Sequence, residues 1–146
     1  MEDLAREMTA DREALRIEFP DASPSEVARA ASLCLTKSGT VTLELASQEC
    51  PMVIFYRVSP FSYFIASGLQ TSDHIGLVNE LAGRTICSER LMWRKNSAWL
   101  AEEALELGSD PERYEECKTS LNEVMSDFAR PGASENVANI VADMLS

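Results

Sequence analysis

The stretch Val41–Ala66, VTLELASQECPMVIFYRVSPFSYFIA, decides the fold. Its first residues alternate, with Val41, Leu43 and Leu45 apolar and Thr42 and Glu44 polar. A period of two predicts a strand with one wet face. Gln48-Glu49-Cys50-Pro51 reads as a turn. Met52–Val58 is then a nearly continuous apolar and aromatic run, as a central strand requires. Ser59-Pro60 breaks it, and Phe61–Ala66 reads as a third strand closed by Ser67-Gly68. Short turns between successive strands predict an antiparallel meander.

Upstream, the signals are helical. Residues 2–17 carry Leu4, Met8 and Leu15 among many charges and predict a helical extension over residues 1–20. Ser23-Pro24-Ser25-Glu26 is a strong start: a capping serine, proline at the first helical position and glutamate three after the cap. This helix is expected to run to about Lys37 and stop at Ser38-Gly39, with Val27, Ala30, Ala31, Cys34 and Leu35 as its stripe.

Downstream, Thr71-Ser72-Asp73 offers caps, and Ile75, Val78, Leu81 and Ala82 recur at helical spacing before Gly83. Cys87–Arg94 reads as a strand, and Lys95-Asn96 as a turn. Ser97–Leu107 is divided. Trp99 and the hairpin context favour a strand, whereas Leu100–Leu105 favours a helix by propensity; the first half is assigned to strand. Ser109-Asp110-Pro111-Glu112 opens a long amphipathic helix ending at Arg130-Pro131-Gly132. A last helix is expected within residues 131–146, with Val137, Ile140, Val141 and Met144 on one side. The prediction is one α+β domain over residues 1–146: an antiparallel sheet of three-stranded meander plus β-hairpin, helices on one face, in the order α-α-βββ-α-ββ-α-α. It lacks the β-α alternation of a Rossmann-like sheet.

Composition narrows function. With 45% apolar residues the chain can build a core, which a disordered regulator could not. No run approaches a transmembrane span, and the acidic N-terminus lacks a signal-peptide core, so a cytoplasmic protein with no membrane contact is expected. The net charge is −11, and residues 97–146 hold eleven Asp or Glu against three Arg or Lys. That surface repels phosphate backbones and predicts no nucleic-acid partner. Arg84, Arg90, Arg94 and Lys95, with Trp93 and Trp99, form the one basic cluster; an outward strand face or a contact with the chain's own acidic helix explains it better than stacking on bases.

Little here suggests catalysis. The six glycines form neither G-x-G-x-x-G nor a Walker loop. Cys34, Cys50, Cys87 and Cys117 are widely spaced, which fits reduced, buried thiols rather than a metal site. His74 is the sole histidine, so a Cys–His dyad has one possible base. Glu102-Glu103 and Glu115-Glu116 read as solvated surface rather than a catalytic pair. No metal or cofactor is expected.

The order from Ser23 to Phe128 resembles the class I type III secretion chaperones and the related YbjN-type proteins of the sensory transduction regulator kind. The resembling residues are Leu77-Val78-Asn79-Glu80-Leu81, Leu91-Met92-Trp93, Trp99-Leu100-Ala101-Glu102, Leu107-Gly108-Ser109-Asp110 and the helix to Phe128. The resemblance implies a non-catalytic homodimer that binds a protein client. Its groove would use Val53, Phe55, Phe61, Tyr63 and Ile65, and its dimer interface Leu91, Trp93 and Trp99. An acidic inhibitor, of the immunity or nucleic-acid-mimic kind, is the rival expectation. A small cysteine-dependent enzyme is a third.

Overall fold

The structure, a computed structural model, describes residues 21–60, 74–93, 97–128 and 132–145. The expected helix at residues 2–17, the strand Phe61–Ala66 and the turn Lys95-Asn96 lie outside the described residues.

Helix α1 (Pro24–Ala30) starts as its sequence dictates. The Ser23 hydroxyl accepts from the Glu26 N–H at 3.3 Å, and the Glu26 carboxylate accepts from the Ser23 N–H at 2.8 Å. It ends at Ala30, seven residues short of the expected Lys37. Ala31 turns extended, and Cys34–Lys37 becomes strand β1. The Cys34 N–H is claimed by the Pro51 carbonyl at 2.9 Å, a partner far along the chain.

Val41–Ala46 is helix α2, not the expected strand. Alternation over five residues places Val41 and Leu45 four apart, which a helix satisfies equally. The face that goes inside is Thr42, Leu45 and Ala46, spaced three and four apart. The Thr42 hydroxyl donates to the Gly39 carbonyl at 2.7 Å, so even the polar member of that face is satisfied.

Strand β2 (Met52–Arg57) follows, then helix α3 (Leu77–Ala82) and strand β3 (Glu89–Met92). Gly83 ends α3 at φ 63°, a left-handed stop that glycine adopts without a Cβ penalty. The sheet runs β1-β2-β3 and both pairings are parallel, with Cys34 beside Met52 and Ile54 beside Glu89. Helices and a sheet do share the chain as expected, but the sheet is not antiparallel. The reason is local. Ser38–Pro51 contains a helix, not a tight turn, and a crossover of this length returns the chain to the same end of the sheet. The β-α alternation that the sequence reading denied is therefore present in the described strands and helices.

Central β2 explains its own composition. Met52, Val53 and Ile54 are fully buried, as consecutive residues must be when both faces of a parallel strand are covered. Ser97–Ser109 is helix α4 from its first residue, so helix propensity prevails over the hairpin reading, and Trp99 is buried as part of a helix. Helix α5 (Pro111–Phe128) is capped by Asp110, whose carboxylate accepts from the N–H groups of Glu112 and Arg113 at 3.0 and 3.1 Å. Its Cys117, Leu121 and Val124 enter the core. Helix α6 (Ala133–Leu145) leaves Val137, Ile140, Val141 and Met144 exposed. Among the described residues, no helix is long and apolar enough to cross a membrane.

Candidate functional site

In an open parallel sheet, the loops that leave the carboxyl ends of the strands gather at one edge, and ligands bind there. At this edge β1 ends on Lys37 and β2 on Arg57. Two cations thus close neighbouring strands in a chain that is otherwise strongly acidic. The Lys37 ammonium lies 5.1 Å from the centroid of the Tyr56 ring, a cation–π contact that positions it.

Ser38-Gly39-Thr40 joins β1 to α2 across this edge. The Ser38 N–H donates to the Phe55 carbonyl at 2.9 Å, continuing the ladder one residue past β1. Its hydroxyl donates to the Ile75 carbonyl, which ties the loop to the segment entering α3. That segment is held from the other side by Glu89. One carboxylate oxygen of Glu89 accepts from the N–H groups of Ile75 and Gly76 at 3.1 and 2.7 Å. The other is 2.9 Å from His74 Nδ1. A carboxylate only accepts, so Nδ1 carries the proton in this pair. Both side chains are mostly buried. Gly76 is needed for the approach: a Cβ there would stand 2.6 Å from Ile54 Cδ1 and 3.1 Å from the Glu89 carboxylate.

The arrangement offers two cations and the Thr40 hydroxyl beside the ends of two strands, with the His74–Glu89 pair holding the adjacent loop. It suits an anionic, oxygen-rich ligand better than an apolar peptide.

A second hollow, of about 190 Å³, lies beside the residues that lead into β3, between Arg84, Ser88, Arg113 and Ser120. Its cations are already engaged. Arg113 meets Glu103 at 3.0 Å and Glu106 at 2.9 Å; Arg84 meets Ser120 at 2.9 Å and Glu123 at 3.6 Å. Arg84 therefore does face the chain's own acidic helix. Arg90 lies 4.5 Å from the centroid of the Trp99 ring, while Arg94 and Lys95 lie outside the described residues.

The residues singled out from sequence are scattered. Val53 is wholly inside the core and Phe55 is half-buried. Phe61, Tyr63 and Ile65 lie outside the described residues. Leu91 is half-buried, Trp93 exposed and Trp99 buried. Among the described residues no cluster of histidine, cysteine and carboxylate side chains is arranged to hold a metal ion. The sequence reading passed over Lys37, Ser38, Thr40, Arg57 and Glu89. The missed signal was Ser38-Gly39-Thr40 standing between a strand and a helix, the position at which such edges form.

Residues 2–143 match the lipid-A-disaccharide synthetase family. The chain belongs to that family. The lipid-A-disaccharide synthase of Syntrophus aciditrophicus is 37% identical over 109 residues, covering 75% of this chain and 28% of that protein. The synthase of Geobacter sulfurreducens is 37% identical over 120 residues, covering 82% and 31%, and that of Gluconobacter oxydans 40% over 102 residues, covering 70% and 25%. The chain thus spans under a third of the length of these curated relatives.

Membership in the lipid-A-disaccharide synthetase family overturns the resemblance to secretion chaperones and YbjN-type proteins. That resemblance rested on an antiparallel meander, and the strands are parallel. The expectation of a non-catalytic chaperone falls with it, because the curated relatives bear the name of an enzyme.

Proposed function

We propose that the chain is part of a glycosyltransferase that makes the disaccharide of lipid A, and that the carboxyl edge of its sheet receives the activated sugar. The observation that carries this is the family match over residues 2–143.

The chemistry fits the edge. To join two sugars, an acceptor hydroxyl oxygen attacks the anomeric carbon of the donor, and the bond from that carbon to its leaving group breaks. A phosphate leaving group departs with negative charge, which nearby cations and hydroxyl donors stabilise. Lys37 and Arg57 would supply the cations, and Thr40 the donating hydroxyl; the Ser38 hydroxyl is already given to Ile75. His74 and Glu89 would hold the neighbouring Ile75-Gly76 segment in place beside it. The relatives are about three times longer, so transfer itself is proposed for the whole protein and donor binding for this segment.

The test is a titration of the chain with nucleoside-diphosphate sugars, free sugars and inorganic phosphate, followed by amide NMR and thermal melting. Phosphate-activated sugars should raise the melting temperature and move the amides of Lys37–Thr40 and Arg57. Lys37→Ala and Arg57→Ala should each weaken binding about tenfold, the loss of one charge-assisted contact. Shifts confined to Arg84 and Arg113 would place the ligand in the second hollow and overturn the assignment.

A further inference from the structure

The four thiols form two pairs. Cys50 Sγ lies 3.5 Å from Cys34 Sγ, and Cys87 Sγ lies 3.8 Å from Cys117 Sγ. None is bridged. The pairs differ in what surrounds them. Cys87 and Cys117 are both buried, whereas Cys34 is half-open to solvent at the start of β1. Only the first pair can be approached by a reagent dissolved in water.

We propose that Cys34 and Cys50 are a reversible disulfide site, opened and closed by exchange with small soluble disulfides. Parallel pairing brings the two together: Cys34 lies beside Met52 in the ladder, and its N–H donates to the Pro51 carbonyl at 2.9 Å. Cys50 immediately precedes that proline. The sulfurs need to approach by about 1.5 Å to reach the bonded distance, which a change of side-chain rotamer can supply. The hydrogen bond from Cys50 also lowers the Cys34 thiol to about 7, so much of it is thiolate near neutral pH. The accessible sulfur is thus the nucleophile and the buried one the resolving partner.

The exchange balances in two steps. The Cys34 thiolate attacks one sulfur of the small disulfide, that S–S bond breaks, and one small thiolate leaves. Cys50 then gives its proton to the departing side and attacks Cys34 Sγ, releasing the second small thiol. Two protein thiols are oxidised and one disulfide is reduced to two thiols. The ring so closed encloses Ser38-Gly39-Thr40 and all of α2, the loop and helix at the sheet's carboxyl edge. The inference does not rest on glycosyl transfer.

The experiment treats the native chain with oxidised glutathione, blocks remaining thiols and maps tryptic peptides. The expected product links residues 30–37 to residues 38–57, while Cys87 and Cys117 remain alkylatable after unfolding. The bridged chain should melt at a higher temperature, because the loop is closed in the unfolded state. Cys50→Ser should stop at a stable glutathione adduct on Cys34, and Cys34→Ser should slow thiol loss at least tenfold. Should either variant fail to fold, the wild-type map decides alone. An unresolved glutathione adduct on wild-type Cys34, no reaction at all, or a Cys87–Cys117 link forming first would each overturn the proposal.

Discussion

The side-chain amide of Asn79 grips Cys87 at both ends of its backbone unit. Its Nδ2 donates to the Cys87 carbonyl at 2.8 Å, and its Oδ1 accepts from the Cys87 and Ile86 N–H groups at 3.0 Å each. Asn79 is fully buried in α3, so these bonds fix where the chain enters β3. Replacing the amide leaves three backbone groups without a partner, two of them in the buried Cys87 unit. Asn79→Ala is expected to cost roughly 2–4 kcal/mol. Asn79→Asp should do no better, since it keeps the acceptor but buries a charge facing a carbonyl. Urea unfolding checks both; a loss under about 0.5 kcal/mol would sink the account.

Gly76 makes a different kind of contact, one defined by absence of a side chain. A methyl group there would press into Ile54, a fully buried residue of central β2, and against Glu89. Gly76→Ala should therefore cost about 1–3 kcal/mol through overpacking. The backbone is extended at φ −92°, so strain in φ plays no part. Ile54→Val in the same background should recover part of the loss. Non-additivity in that double-mutant cycle is the measurement, and simple addition would refute the contact.

What could be read from sequence was what local chemistry determines. The capping box at Ser23, the Asp110-Pro111 start, the Gly83 stop and the buried run of β2 each carry their own signal within a few residues. What escaped depends on distant partners. Cys34–Lys37 has four residues and no pattern of its own; pairing with β2 makes it a strand. Val41–Ala46 satisfies two periodicities, and burial of Thr42 and Ala46 decides between them. One misread crossover reversed the sense of the sheet, and the chaperone resemblance followed from it. The site shared this difficulty. Ser38 meets Ile75 and Glu89 meets His74 across long separations that no short window contains.

Glu103 supplies a pH signature. A hydrogen bond from Ser88, with Arg113 beside it, holds its carboxyl below the ordinary value of 4.5. Around that ordinary value the unfolded chain then binds more protons than the folded one, so stability rises with pH. The contribution is complete above the ordinary carboxylate range and is lost as pH falls through the lowered folded value. Glu103→Gln should flatten this part of the acid limb while leaving the neutral limb nearly parallel to wild type. The effect should be small, because Arg113 is partly exposed and solvent screens the pair. Thermal melts from neutral to acid pH test it; an unchanged acid slope would remove Glu103 from the explanation.

Glu89→Gln separates packing from proton placement at the sheet edge. The substituted amide has one acceptor oxygen, which can keep the Ile75 and Gly76 N–H bonds. Its nitrogen then faces His74 Nδ1, and a donor there requires Nδ1 to accept. The proton must then sit on Nε2. Nitrogen-15 NMR of the histidine ring should show the Nδ1–H tautomer in wild type and the Nε2–H tautomer in the variant. The fold should persist, since the amide has nearly the same shape. Identical tautomers in both proteins would mean that Glu89 does not set the state of His74.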